Sequence, residues 1–152
     1  MAEITIRVKP NAVLRKAMAD RAMIEGPIRV MLLKIALTVE GRAKVLAPVD
    51  TGRLRSSITH RVAELHALVV GPVFYAPHVE FGTRPHFPPP GALAVWARRH
   101  GFASPYPVAL AIARRGTRAQ PFMRPAAEAT KKEIPGFVRE AAAAIRRRWH
   151  SG

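Results

Sequence analysis

The chain has no cysteine, which excludes a disulfide framework and any thiolate metal site. Carboxylates are scarce, with 10 Asp and Glu against 25 Lys and Arg. Only Asp20 and Asp50 are aspartates. Asp50-Thr51-Gly52 has the form of an aspartic protease fragment, but that chemistry needs two aspartates sharing a proton, and Asp20 falls within a helical pattern. The six histidines (His60, His66, His78, His86, His100 and His150) show no H-E-x-x-H or comparable ligand spacing. His78 and Glu80 are two apart and would not face each other on a helix. There is no G-x-S-x-G, phosphate loop or dinucleotide fingerprint. The expectation is a protein without catalytic activity, cofactor or metal. No uninterrupted apolar run reaches the roughly 20 residues of a membrane span. Met1-Ala2-Glu3-Ile4 lacks a basic leader and an apolar signal core, so expression and use in a cytoplasm are expected.

What remains is a basic, ordinary-looking globular composition. The 152 residues are 49% hydrophobic and 23% charged, which fits one domain with a real core and argues against overall disorder. The net charge of +15 brings nucleic acid to mind first. However, 19 of the cations are Arg and the chain is rich in Ala and Pro, as a GC-rich coding sequence would give. The charge is also spread: residues 1–83 carry +5 and residues 84–152 carry +10. The one dense run, Arg146-Arg147-Arg148, lies at the tail. Loose contact with DNA or with an acidic protein fits this distribution better than sequence-specific DNA binding.

The chain turns on Ala47-Pro48-Val49-Asp50-Thr51-Gly52-Arg53-Leu54-Arg55-Ser56-Ser57-Ile58. Pro48 disfavours helix at Ala47. Asp50 or Thr51 can accept from backbone N–H groups just ahead and start a short new turn. Gly52 lets the chain bend where a Cβ would obstruct it, and Leu54 and Ile58 sit at helical spacing. Before this corner, Ile4, Ile6 and Val8 alternate as a strand does. Residues 12–25 show a moderate helical pattern, Gly26-Pro27 punctuates it, and residues 28–47 are strongly helical with Pro27 at the first position. One apolar face carries Ile28, Met31, Leu32, Ile35, Val39, Ala43 and Leu46. Val30, Leu33 and Leu37 form a second. A single sheet hides only one of these, so a second element or a neighbouring subunit is expected on the other.

Beyond the corner, Ile58, His60 and Val62 alternate with Thr59, Arg61 and Ala63, as a strand does. Residues 67–71 are apolar throughout, as an interior strand is, and the two runs predict a hairpin. Tyr75, Val79 and Phe81 are expected on the buried side of a short helical segment ended by Gly82. Residues 84–120 read as a Pro/Arg-rich insertion or extended partner-contacting segment. Short helical patterns occupy 91–100 and 105–115, and a basic loop follows. Pro125 opens a further helix, Pro135-Gly136 is expected to break or kink it, and Phe137, Ala141, Ile145 and Trp149 make the stripe of a closing helix.

Three stretches occur in series: Pro48-Val49-Asp50-Thr51-Gly52-Arg53-Leu54-Arg55-Ser56-Ser57-Ile58, Tyr75-Ala76-Pro77-His78-Val79-Glu80-Phe81-Gly82-Thr83, and Gln120-Pro121-Phe122-Met123-Arg124-Pro125-Ala126. Together they resemble the tailed-phage neck family, the Hong Kong phage gene-ten-like head–tail joining or tail-completion proteins. The resemblance covers residue 28 to the end. The block at 84–118 is longer than the family's minimal form, and Pro135-Gly136 departs from an unbroken final helix.

The expected fold is α+β, a small antiparallel sheet packed against a long helix with a C-terminal helical segment, a class the resemblance also implies. It further implies a non-enzymatic virion protein, assembled in the host cytoplasm into a ring around the DNA channel. The ring would be sixfold, with twelvefold as the alternative. Its partners would be head-closure or adaptor proteins and tail-terminator or tail-tube proteins. A prophage or gene-transfer particle is equally consistent. Pro48, Asp50, Thr51, Gly52, Arg53, Tyr75, Glu80, Phe81, Gly82, Thr83, Pro121, Phe122, Arg124 and Pro125 would be the structural motif. Arg53 and Arg124 are the expected carboxylate-binding forks, with Asp50 and Glu80 as partners. Tyr75, Phe81 and Phe122 can equally be plain core. The competing class is a basic nucleic-acid-binding protein.

Overall fold

The alternating run after the corner and the apolar run that follows it pair as the antiparallel hairpin the pattern predicts. The computed structural model describes residues 2–7, 21–63 and 65–150. Within them, β2 (Thr59–Val62) pairs with β3 (His66–Gly71), and β1 (Ala2–Arg7) pairs with the other edge of β3. The order is β1-β3-β2, all antiparallel. Ile4 lies opposite Val69, and Val62 opposite Ala67. The most apolar strand is central, and Ala67, Val69 and Val70 are buried. The Ala63 N–H closes the hairpin on the His66 carbonyl at 2.9 Å.

Helix α1 (Arg21–Leu46) packs on this sheet. It runs unbroken through Gly26-Pro27, where the sequence predicts a new start. Pro27 has no N–H for the carbonyl four residues back, at a cost of about 3 kcal/mol. Ile24, Ile28 and Met31 are buried around it, each contributing about 1.5–3 kcal/mol, so packing carries the helix through. Residues 12–20 of the first predicted helix, and Val8, lie outside the described residues. Leu32, Ile35, Val39 and Ala43 complete the buried face of α1. Leu46 does not join it: it is exposed in the last turn.

The corner forms where the sequence predicts it, but Gly52 is needed for its positive φ and not for lack of space. It sits at φ +78°, ψ −7° with nothing within 4 Å of where a Cβ would lie, and α2 (Arg53–Ser57) follows at once. The Ser56 N–H donates to the Gly52 carbonyl at 2.9 Å, and Leu54 and Ile58 are buried. α6 (Met123–Lys131) and α7 (Ile134–His150) both pack on α1. The chain breaks at residues 132 and 133, just ahead of Pro135. Pro135 thus falls in the first turn of α7, where its missing N–H is not needed. Ala141 is buried and Phe137 and Ile145 half-buried, whereas Trp149 at the end of the expected stripe is exposed.

The described residues fall into two compact units. One comes from within 1–76 and 121–152 and holds the sheet, α1, α2, α6 and α7. The other is Pro77–Gln120, which contains α4 (Pro90–Arg99) and α5 (Tyr106–Arg115). The short α3 (Ala76–Phe81) precedes them. No helix among the described residues is long and apolar enough to cross a membrane.

Candidate interaction surfaces

Three features of the first unit bear on function. The corner residues Asp50, Thr51 and Arg53 are exposed, with Pro48 and Gly52 half-buried. Thr51 Oγ1 accepts from the Arg53 N–H at 3.4 Å, a long bond, where Gly52 in the left-handed region turns the chain into α2. The third motif is an anchor. Phe122 and Met123 are buried, with Pro125 half-buried in the first turn of α6 and Pro121 and Arg124 at the surface. A Cβ on Gly71, at the end of β3, would lie 3.5 Å from the Ala76 Cβ and 3.9 Å from both Phe122 and Met123. The motif thus wedges α6 against the end of the central strand. Tyr75 is half-buried and meets the exposed Phe74 edge-on at 5.4 Å.

The outer side of α1 is the second feature. Val30, Leu33 and Leu37, one stripe at helical spacing, are 54%, 38% and 50% exposed. Beside the stripe, Lys34 Nζ donates to Glu140 of α7 at 2.5 Å. An open cleft of about 380 Å³ lies between the two helices, lined by Pro27, Val30, Met31, Phe137 and Ala144 among others.

Polar staples hold the inner side. Arg42 Nη1 donates to Thr130 Oγ1 at 2.9 Å and its other nitrogen to Glu133, so one side chain of α1 ties both α6 and the break before α7. Thr130 is itself buried and donates back to the Ala126 carbonyl at 2.8 Å. Glu40 accepts from Lys44 one turn on and pairs with His60 of β2. Burial pushes the Glu40 carboxyl up, but the hydrogen bonds from Lys44 and His60, with their charges, outweigh it and hold the group below the usual carboxylate range.

The 77–120 unit has a built base. Thr83 and Thr117 form a two-residue antiparallel bridge, with Thr83 N–H to Thr117 O at 3.1 Å and Thr117 N–H to Thr83 O at 3.2 Å. The two hydroxyls lie 3.0 Å apart. Each threonine follows a glycine with positive φ, Gly82 at +71° and Gly116 at +72°. A Cβ on Gly82 would sit 2.4 Å from the Thr117 oxygen, and one on Gly116 would sit 1.9 Å from the Thr83 oxygen. Only glycine lets these backbones meet. The Gln120 N–H adds a bond to the Val79 carbonyl at 2.8 Å. Ala76 and Glu80, not Phe81, are the buried residues of α3: Glu80 is 4% exposed and Phe81 70%. In one and a half turns, Ala76 and Glu80 share a side at i, i+4 spacing and Phe81 falls off it.

Above this base the unit buries Ala97 and Ala109, and most of its aromatics face outward. Trp96 stacks on His100 at 4.1 Å and lies near-parallel to Phe102 at 6.0 Å. Phe87 meets Tyr106 at 6.1 Å. No local pattern announces this base; its one signal in the sequence is the doubled Gly-Thr-Arg, at Gly82-Thr83-Arg84 and Gly116-Thr117-Arg118.

No group of three His, Asp or Glu placed to hold a metal occurs among the described residues. Comparison with known protein families, characterised proteins and solved structures gives no match.

Proposed function

We propose that this chain is a structural, non-enzymatic subunit of a tailed-phage neck, joining head-closure and tail proteins as a ring around the DNA channel. The observation that carries the reading is the outward stripe of α1. A helix whose inner face fills the core presents Val30, Leu33 and Leu37 to solvent, and an apolar face of this kind marks an interaction site. A head-to-tail contact that closes covers it in every copy. The motif series supports the same reading: its residues specify backbone and packing at the corner and at the Phe122 anchor. Sixfold symmetry is favoured, with twelvefold as the alternative, on the resemblance alone.

The test pairs particle imaging with a stripe variant. Leu33→Glu/Leu37→Glu should leave the free subunit folded, since surface changes usually cost within about 0.5 kcal/mol, and should abolish incorporation into the neck. The chain's absence from the intact particle, or normal incorporation of the variant, refutes the reading.

The +15 charge favours a second reading, a nucleic-acid-binding protein. In that case affinity for duplex DNA should fall steeply with salt, by about 0.9 log units per log unit of salt for each phosphate contacted.

A further inference from the structure

We infer that the 77–120 unit is a docking module for an acidic protein surface, one that offers apolar side chains rimmed by carboxylates. This deepens the neck reading by naming the chemistry of the partner the module meets.

Charge comes first. Residues 77–120 hold six arginines, no lysine and a single acid, Glu80. All six arginines are exposed, and Glu80 is buried. The module therefore presents no carboxylate to solvent. Its cations are all of the planar type that grips a carboxylate through two parallel hydrogen bonds.

Apolar surface comes second. Phe81, Phe87, Val95, Phe102 and Tyr106 are all exposed in a 44-residue unit that buries little beyond alanine. Seven prolines, the Thr83–Thr117 bridge and the ring contacts fix the backbone that carries them, so little ordering remains to be done on binding. Exposed aromatics and arginine with depleted lysine and acid are the composition of protein-interface cores.

A second copy of this chain is a poor occupant. It carries the same +15, and Glu40, Glu128, Glu133 and Glu140 are already bonded to its own cations. Nucleic acid accounts for the arginines, and unpaired bases stack on open ring faces. However, Phe87 and Tyr106 are packed against each other edge to face at 6.1 Å and the exposed Val95 offers no ring, a surface better matched by apolar side chains.

The experiment uses the full chain and fluorescence anisotropy at physiological salt. The probe is a labelled synthetic helical peptide of Glu, Leu and Ala with its Leu on one face. Companion probes are the Gln-for-Glu peptide, poly-Glu and single-stranded oligodeoxythymidine. The Glu/Leu peptide should bind more tightly than all three. Arg98→Gln/Arg99→Gln or Arg114→Gln/Arg115→Gln should weaken it about tenfold, because charged interface pairs contribute on that scale. Tyr106→Ala should weaken it comparably, since aromatic anchors dominate such contacts. The charge-matched pair outside the module, Arg139→Gln/Arg146→Gln, should leave affinity within about twofold. Tryptophan emission from Trp96 and Trp149 checks that each variant is folded, and Arg98→Lys/Arg99→Lys separates fork geometry from charge. The proposal is overturned if poly-Glu binds as well as the Glu/Leu peptide, if the Arg139/Arg146 pair matters as much as the module's arginines, or if the module variants weaken only oligodeoxythymidine. These outcomes are separate from imaging: a module that fails here leaves the ring reading standing, and a chain missing from the particle leaves the peptide result standing.

Discussion

Two glycines with nearly equal φ should respond very differently to the same substitution. Gly52 has φ +78°, ψ −7° and open space where a Cβ would go. Gly116 has φ +72°, ψ −161°, with the Thr83 carbonyl oxygen 1.9 Å from that position. At Gly52 an alanine meets only the left-handed penalty, about 1–2 kcal/mol, and an asparagine less. At Gly116 the backbone lies in a region essentially closed to side chains, at about 1–3 kcal/mol. The collision also forces the Thr83–Thr117 bridge open, losing two backbone bonds with a net worth of about 1 kcal/mol each. Gly116→Ala should therefore cost about 3–5 kcal/mol locally, the sum of those two contributions. Hydrogen exchange reads this at the Thr83 and Thr117 amides. Exchange there should accelerate at least a hundredfold, since about 1.4 kcal/mol is a factor of ten and local opening follows local stability. Trypsin should cut faster at Arg114, Arg115 and Arg118. Gly52→Ala should leave both readouts unchanged and lower the melting temperature by a few degrees, at about 2–4 °C per kcal/mol for a chain of this size. Unaltered exchange at Thr83 and Thr117 in Gly116→Ala, or an equal effect from Gly52→Ala, would refute the reasoning.

Further outcomes follow from the first unit. Leu32→Ala or Ile35→Ala should cost about 2–5 kcal/mol in chemical denaturation, because both are fully buried; a cost near that of Leu33→Ala would contradict the assignment of faces. Arg42→Ala should cost about 1–2 kcal/mol and show non-additivity with Glu133→Ala in a double-mutant cycle, where strict additivity would mean the staple is not energetically made. Because the Glu40 carboxyl titrates below its ordinary value of 4.5 in the folded state, its stabilisation is complete above that value and is lost as pH falls through the folded value. The stability gap between wild type and Glu40→Gln should therefore close on acidification from neutral pH, and a gap that widens would reverse the sign of the argument.

Periodicity reached most of the first unit. The strand alternation, the central position of β3, the inner face of α1 and the corner at Gly52 all express a single requirement: apolar side chains turn inward, and Pro and Gly mark where the chain cannot continue. Three features escaped because another contribution won. Gly26-Pro27 reads as a boundary by local propensity, yet tertiary burial of Ile24, Ile28 and Met31 overrides it. Phe81 reads as core by hydrophobicity, yet it stands five residues after the buried Ala76, about 140° round the helix, and so falls on another side. The Thr83–Thr117 bridge joins residues 34 apart, and no local pattern announces such a pairing; only the repeated Gly-Thr-Arg hints at it. Of the candidate surfaces, the α1 stripe was legible as a second apolar face, whereas the closed base of the 77–120 unit was not.

That base also governs how the chain can change. Where two strands of a chain are hydrogen-bonded at their feet, whatever lies between them is a closed loop in the topological sense, and its length is nearly free. Each doubling of such a loop costs only about 0.6 kcal/mol of closure entropy. Thr83 and Thr117 therefore mark a port in the sequence. Residues between them can be lengthened, shortened or exchanged for another folded insert while the two glycine-threonine steps keep the entry and exit of the chain in register. Diversity in what the protein touches can accumulate inside that port without rewriting the sheet and the helices that pack on it.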